Sequence, residues 1–191
     1  MLMKKFVVAA ALAAGVCSLT YAQDMPMNHG GMKMDSKEKP RLSPHQMADV
    51  DLTGTKIHVA YGAPSLRGRK MVGGINPYGK EWRVGADEAT SFEVSTDVLV
   101  NGTSVPAGSY TLFVLPTAEK WTLIISKKTG EWGIPYPGQQ YDFARVDMSK
   151  ASLPSPQERM SIDFEKTTAF KTEMHVKWDR DNYFVTVQKK K

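Results

Sequence analysis

The chain has 191 residues, a formal net charge of +5, four histidines and a single cysteine, Cys17. So weak a basic excess excludes the footprint of a nucleic-acid binder, and one cysteine excludes a disulfide framework. A hydrophobic fraction of 41% supplies enough apolar material for one core of ordinary size.

At the front, Lys4 and Lys5 precede an apolar run from Phe6 to Val16, and Thr20-Tyr21-Ala22 stand before Gln23. This pattern predicts a cleavable signal peptide over residues 1–22 and places the mature protein in the periplasm or outside the cell. The apolar run is too short to serve as a transmembrane anchor. Lipoprotein processing at Cys17 is disfavoured by the bulky Val16 before it. Cleavage after Ala22 removes two lysines, no acid and the only cysteine, which lowers +5 to +3 and leaves no thiol chemistry.

Residues 23–40 have no hydrophobic period and are predicted to be a disordered tether. Within them, Met25, Met27, His29, Met32 and Met34 surround Gly30-Gly31. Four thioethers and one imidazole form a soft ligand set suited to Cu(I) or Ag(I), and thioethers bind without deprotonation. The competing reading is a biased linker whose methionines act as oxidation sinks.

The pattern changes at Ile57. There Ile57, Val59 and Tyr61 alternate with Lys56, His58 and Ala60, and Phe92 and Val94 alternate with Glu93 and Ser95, as half-buried strands require. Asn101-Gly102, between Val98-Leu99-Val100 and Thr103-Ser104-Val105, predicts a two-residue hairpin turn. Further strands are predicted at 110–115, 121–126, 143–146, 160–164, 172–178 and 183–188, the last two separated by a turn at 179–182. No segment sustains a helical period. Residues 41–191 are therefore expected to form one all-β domain, an antiparallel β-sandwich or barrel-like sheet.

Candidate chemistry concentrates between Arg67 and Thr90. Gly68, Gly73, Gly74 and Gly79 permit tight loops, while Arg67, Arg69, Lys70 and Arg83 offer donors for a carboxylate, a phosphate or a sulfated sugar. No phosphate-binding Gly-Lys-Ser or Gly-Lys-Thr loop accompanies them. The opposing expectation is an internal pair between Arg83 and Asp87 or Glu88. Asp87 and Glu88 sit too close together in sequence to flank a glycosidic bond from a strand, although Glu88 with Asp142, Asp163 or Glu165 remains open in three dimensions. His58 and His175 share strand faces with charged residues and are expected to point outward. Trp121 and Trp178 read as core. Trp132 and Tyr136 lie in the turn-rich run Trp132-Gly133-Ile134-Pro135-Tyr136-Pro137-Gly138, where their rings either stack on a ligand or cover one end of the sheet. Lys189-Lys190-Lys191 reads as a solvated end.

The tandem of Gly68-Arg69-Lys70, Pro77-Tyr78-Gly79 and Trp82-Arg83-Val84-Gly85-Ala86-Asp87-Glu88-Ala89-Thr90 resembles a family of secreted bacterial proteins known as domain of unknown function 2911. The similarity continues through Pro106 to Tyr110, Trp121, Trp132-Gly133 and the final strands. The resemblance implies export and an all-β domain and brings no activity with it. Family members often look like Tyr-Ser-Arg-Pro where this chain has Tyr61-Gly62-Ala63-Pro64, so if that arginine contacts a ligand in relatives, this chain is expected to differ in ligand.

Together these readings favour an exported, noncatalytic module that binds a small anionic or carbohydrate ligand through Arg67, Arg69, Arg83 and Glu88, with Trp132 or Tyr136 stacking. The alternatives are a periplasmic Cu(I)- or Ag(I)-handling protein and an envelope hydrolase with dispersed carboxylates.

Overall fold

The computed structural model describes residues 41–190. The predicted signal peptide and the set Met25, Met27, His29, Met32 and Met34 lie outside the described residues. Ten strands follow in chain order: β1 (His45–Asp51), β2 (Lys56–Gly62), β3 (Ser91–Val94), β4 (Val98–Val100), β5 (Thr103–Val105), β6 (Gly108–Pro116), β7 (Trp121–Ser126), β8 (Asp142–Asp147), β9 (Ser149–Glu165) and β10 (Lys171–Lys189). One 3₁₀ turn, Gln139–Tyr141, precedes β8. Among the described residues no helix is long and apolar enough to cross a membrane.

The strands form two antiparallel sheets. Six strands run in the order β1-β2-β3-β6-β7-β8, and four in the order β5-β4-β10-β9. In β2, Ile57, Val59 and Tyr61 are buried while Lys56 faces water, so the period-two pattern does place one face inward. The hairpin at Asn101-Gly102 has φ of 43° and 85° and pairs Val100 with Thr103, the geometry that positive-φ residues permit in a two-residue turn.

Strands β6 and β7 depart from alternation. Leu112 and Val114 of β6, with Leu123 and Ile125 of β7, face the inter-sheet core. Phe113 and Ile124, paired across the same two strands, are equally buried on the other side. The Phe113 ring meets Tyr136 edge-on at 5.1 Å, so the 127–141 connection covers this outer face. A strand covered on both faces reads as a continuous apolar run, as Leu112 to Leu115 and Leu123 to Ile125 do.

Two features differ from the sequence expectation. His45–Asp51 forms a full strand although its residues carry little β signal; pairing with β2 along seven positions stabilises it. The 179–182 turn does not form, and β10 instead runs unbroken through register shifts at Lys177/Asp179 and Asp179/Asp181, with Asp179 at φ 57°. Opposite this irregularity β9 carries Pro154 and Pro156, which cannot donate to a ladder and are tolerated at edges and bulges.

An aromatic cluster fills one end of the core. Trp121 stacks on Tyr183 at 3.8 Å, Trp82 stacks on Trp178 at 5.8 Å, and Trp82 meets Trp121 edge-on at 6.0 Å. Trp121 and Trp178 are buried, as expected for core residues.

Candidate functional site

Three irregular segments meet above the aromatic cluster, each tied to a sheet. The first follows β2. The Pro64 carbonyl accepts from Met160 N–H at 2.9 Å, Leu66 N–H donates to the Glu158 carbonyl at 2.9 Å, and Ser65 bridges to Arg159. Residues 64–66 thus leave one sheet and join the edge of the other at β9. The chain then turns sharply, with Arg67 at φ 50° and Gly68 at φ 74°, which presents Arg67 and Arg69 to solvent.

The second segment, 82–90, leaves and rejoins the edge of β6. Trp82 and Val114 exchange backbone bonds of 2.8 and 2.7 Å, and Leu112 N–H donates to the Thr90 carbonyl at 2.9 Å. Between these anchors Val84 and Asp87 adopt φ of 53° and 63°. Ala86 N–H reaches the Gly62 carbonyl at 3.1 Å, and the Thr90 hydroxyl donates to the Val84 carbonyl at 2.9 Å. A Cβ at position 62 would lie 2.1 Å from the Ala86 carbonyl oxygen, so the bare backbone of Gly62 is what lets this loop close down.

The third segment, 41–44, crosses the front. Pro44 accepts from Ala63 N–H at 2.9 Å, and Arg67 donates to the Leu42 carbonyl at 2.9 Å. The Arg41 guanidinium donates to both oxygens of Glu88 at 3.0 Å, and His45 Nε2 lies 3.1 Å from the same carboxylate. Glu88 is held below the usual carboxylate range by its own backbone N–H and by Arg41.

Between these segments lies a cavity of about 320 Å³, lined by Arg67, Arg69, Arg83, Asn76, Trp82 and Trp178 among others. All three arginines meet neutral acceptors. Arg67 binds the Leu42 carbonyl, Arg69 the Leu66 and Ser65 carbonyls at 2.9 and 3.0 Å, and Arg83 the Trp132 carbonyl at 2.7 Å. Three guanidiniums carry fifteen N–H donors, of which these four bonds occupy a minority. Among the described residues none of the three forms an ion pair, whereas Arg41 and Arg145 both do. The internal pair expected for Arg83 is therefore absent: the left-handed residues turn Glu88 outward to Arg41. The Asp87 and Glu88 carboxylates act on Arg83 only at longer range and oppose the burial that lowers its pKa. The guanidinium remains charged at any physiological pH.

Asn76 stands in the same wall. It is 3% exposed, lines the cavity, and its Nδ2 has no hydrogen-bond partner. Nδ2 is itself shielded from solvent, and a buried amide donor left without a partner costs about 1–3 kcal/mol. Nothing in the local sequence marks Asn76; its burial follows from the tight 70–76 loop, where its N–H donates to the Met71 carbonyl at 2.9 Å and its carbonyl accepts from Gly73.

Glu88 and the Trp132 ring lie beside the arginine cavity, lining two neighbouring grooves. Trp132 is 54% exposed, with the Arg83 guanidinium 5.3 Å over its ring. Tyr136 belongs to an adjoining cavity and acts as a loop anchor. Its hydroxyl donates to Asp142, whose other oxygen accepts from Arg145 Nε at 2.7 Å. Burial, then the Asp142 carboxylate, pushes the Tyr136 hydroxyl up to about 12.

The remaining carboxylates considered from sequence lie elsewhere. Asp163 and Glu165 of β9 are held by Lys177. Glu165 also stands 3.5 Å from His175. His175, expected to face outward, is 3% exposed: Phe184 stacks on its ring at 4.8 Å, and Asn182 and Glu173 engage its nitrogens at 2.8 and 3.1 Å. The closing lysines are also engaged, Lys189 Nζ with the Thr53 carbonyl at 2.8 Å and Lys190 Nζ with Ser104 at 2.9 Å.

No curated protein and no solved structure matches the chain significantly. A family model described as "Protein of unknown function (DUF2911)" matches residues 43–187, a span that reaches from Ser43 to Val187 of β10 and takes in the segments around the cavity except Arg41 and Leu42. The chain belongs to the DUF2911 family.

Proposed function

We propose that this domain is a noncatalytic receptor for a small anionic ligand, acting after export and seating the ligand's carboxylate, sulfate or phosphate among Arg67, Arg69 and Arg83. The observation that carries this reading is the set of three guanidiniums held by carbonyls and left unneutralised around one cavity. Carbonyl bonds fix the orientation of the cations without cancelling their charge, which prepares them for an incoming anion. The lining contains no carboxylate, imidazole or thiol, so its chemistry is that of donors rather than of a general base.

Calorimetric titration of the purified protein with acetate, sulfate, phosphate and glucuronate tests the proposal. At least one anion should bind, and Arg67→Gln and Arg83→Gln should each weaken it by about 10–100-fold, the equivalent of one or two charge-assisted hydrogen bonds. Affinity should fall as salt rises. Absence of binding by every anion, or wild-type affinity in both variants, refutes the assignment.

A further inference from the structure

The arginine cavity does not end at Arg83. A second cavity of about 480 Å³ adjoins it, and Ile75, Asn76, Trp82, Arg83 and Ile134 line both. Volumes of this order take a molecule with a body, not a bare inorganic ion.

The two lobes differ in chemistry. The first is bordered only by donors and by apolar or small residues, with three positive charges and no acid. The second adds Lys80 and Glu81, a donor and an acceptor absent from the first, to the shared Arg83 and to Tyr136, among the apolar faces of Pro77, Ile134 and Pro135. Glu81 is only loosely engaged, 3.8 Å from Arg145. On the wall between them stands the buried residue Asn76.

Resting on the anion-receptor reading above, we propose that the ligand is an acidic oligosaccharide of at least two sugar units. Its anionic unit sits in the arginine lobe and its neighbouring unit extends past Asn76 into the Lys80–Glu81 lobe. A sugar alternates hydroxyl oxygens with apolar C–H faces, which matches a lobe that mixes donors, an acid and proline surfaces. An anion with a hydrocarbon tail would strip water from Lys80 and Glu81 without replacing their hydrogen bonds. An acidic peptide binding as an added strand needs a free backbone edge, and the backbone of Trp82 at the shared wall is already bonded in both directions to Val114.

The test compares glucuronic acid with aldobiouronic acid, in which the same acid is joined to one neutral sugar, by calorimetry on the full chain. Octanoate and a short Glu-terminated peptide serve as alternatives of equal charge. The second sugar should tighten binding at least 10-fold. Lys80→Ala, at an exposed position, should remove most of that gain while leaving glucuronic acid unaffected, and Arg67→Gln should weaken both sugars. Glucuronic acid binding with no gain from the second sugar, a gain that survives Lys80→Ala, or tighter binding of octanoate or the peptide overturns the oligosaccharide assignment and leaves the anion receptor standing. Failure of every anion to bind overturns both.

Discussion

Replacing Gly133 with alanine separates backbone strain from steric contact at the loop that holds Arg83. Gly133 has φ 81°, and a Cβ there would lie 2.8 Å from Ala89 Cβ and 3.0 Å from Arg83 Cβ. The left-handed conformation costs about 1–2 kcal/mol for a residue with a side chain. Overlap with two packed carbons adds about 1–3 kcal/mol, for a total of about 2–5 kcal/mol. Gly130 is the matched control, since it has φ 70° and nothing within 4 Å of its added Cβ, so Gly130→Ala should carry the strain alone. For a domain of this size each kcal/mol lowers Tm by about 2–4 °C. Differential scanning calorimetry should therefore place Gly133→Ala about 2–12 °C below Gly130→Ala. Displacement of Arg83, whose guanidinium donates to the neighbouring Trp132 carbonyl, should also weaken any anion that binds wild type. Equal melting temperatures for the two variants would refute the steric reasoning and with it the close packing of the 82–90 and 132–136 loops.

The Tyr136 hydroxyl is neutral in the fold up to about 12, against about 10 for an unperturbed tyrosine. The folded state therefore retains a proton that the unfolded chain loses, so stability should decline between about pH 10 and pH 12. Tyr136→Phe should lessen this decline in denaturant titrations at rising pH, at a cost of about 1–2 kcal/mol near neutrality from the lost bond to Asp142; an unchanged alkaline profile would contradict the anchor role. Glu88 has a lowered pKa, so its contribution is complete above the ordinary carboxylate pKa and is lost as pH falls through the depressed folded value. Because Glu88 and Arg41 are both exposed, Glu88→Gln should destabilise the domain by less than about 1 kcal/mol. It should nonetheless speed exchange of the Ala63 amide, which donates to the Pro44 carbonyl, and unchanged exchange there would show that Glu88 does not secure the 41–44 segment.

The elements visible in the sequence are those whose evidence is local. Alternation in β2 and β3, the Asn101-Gly102 turn and the bulky apolar runs of β6 and β7 each depend on a period or a turn residue contained within a few positions. They sufficed for an antiparallel all-β domain, while the family was legible in the motifs at 68–70, 77–79 and 82–90. Arg67, Arg69 and Arg83 were recognisable as cations in glycine-rich loops, but their residue types do not reveal whether acids neutralise them.

Tertiary contacts decided the rest. Arg67 and Arg69 meet Arg83 because residues 64–66 cross to β9 while 82–90 stays pinned to β6, two pairings made over long separations. Strand β10 overrides its turn signals because β9 pairs with Asp179, Asp181 and Asn182 through the irregularity and holds it extended. Glu88 turns from the adjacent Arg83 to Arg41, forty-seven positions away, because two left-handed residues redirect the loop. Asn76 carries no mark in its neighbours; only packing buries its amide against the cavity. Strand formation is written in side-chain periodicity, whereas the charge and hydrogen-bond balance of a site is set by distant groups that folding brings within a few ångströms.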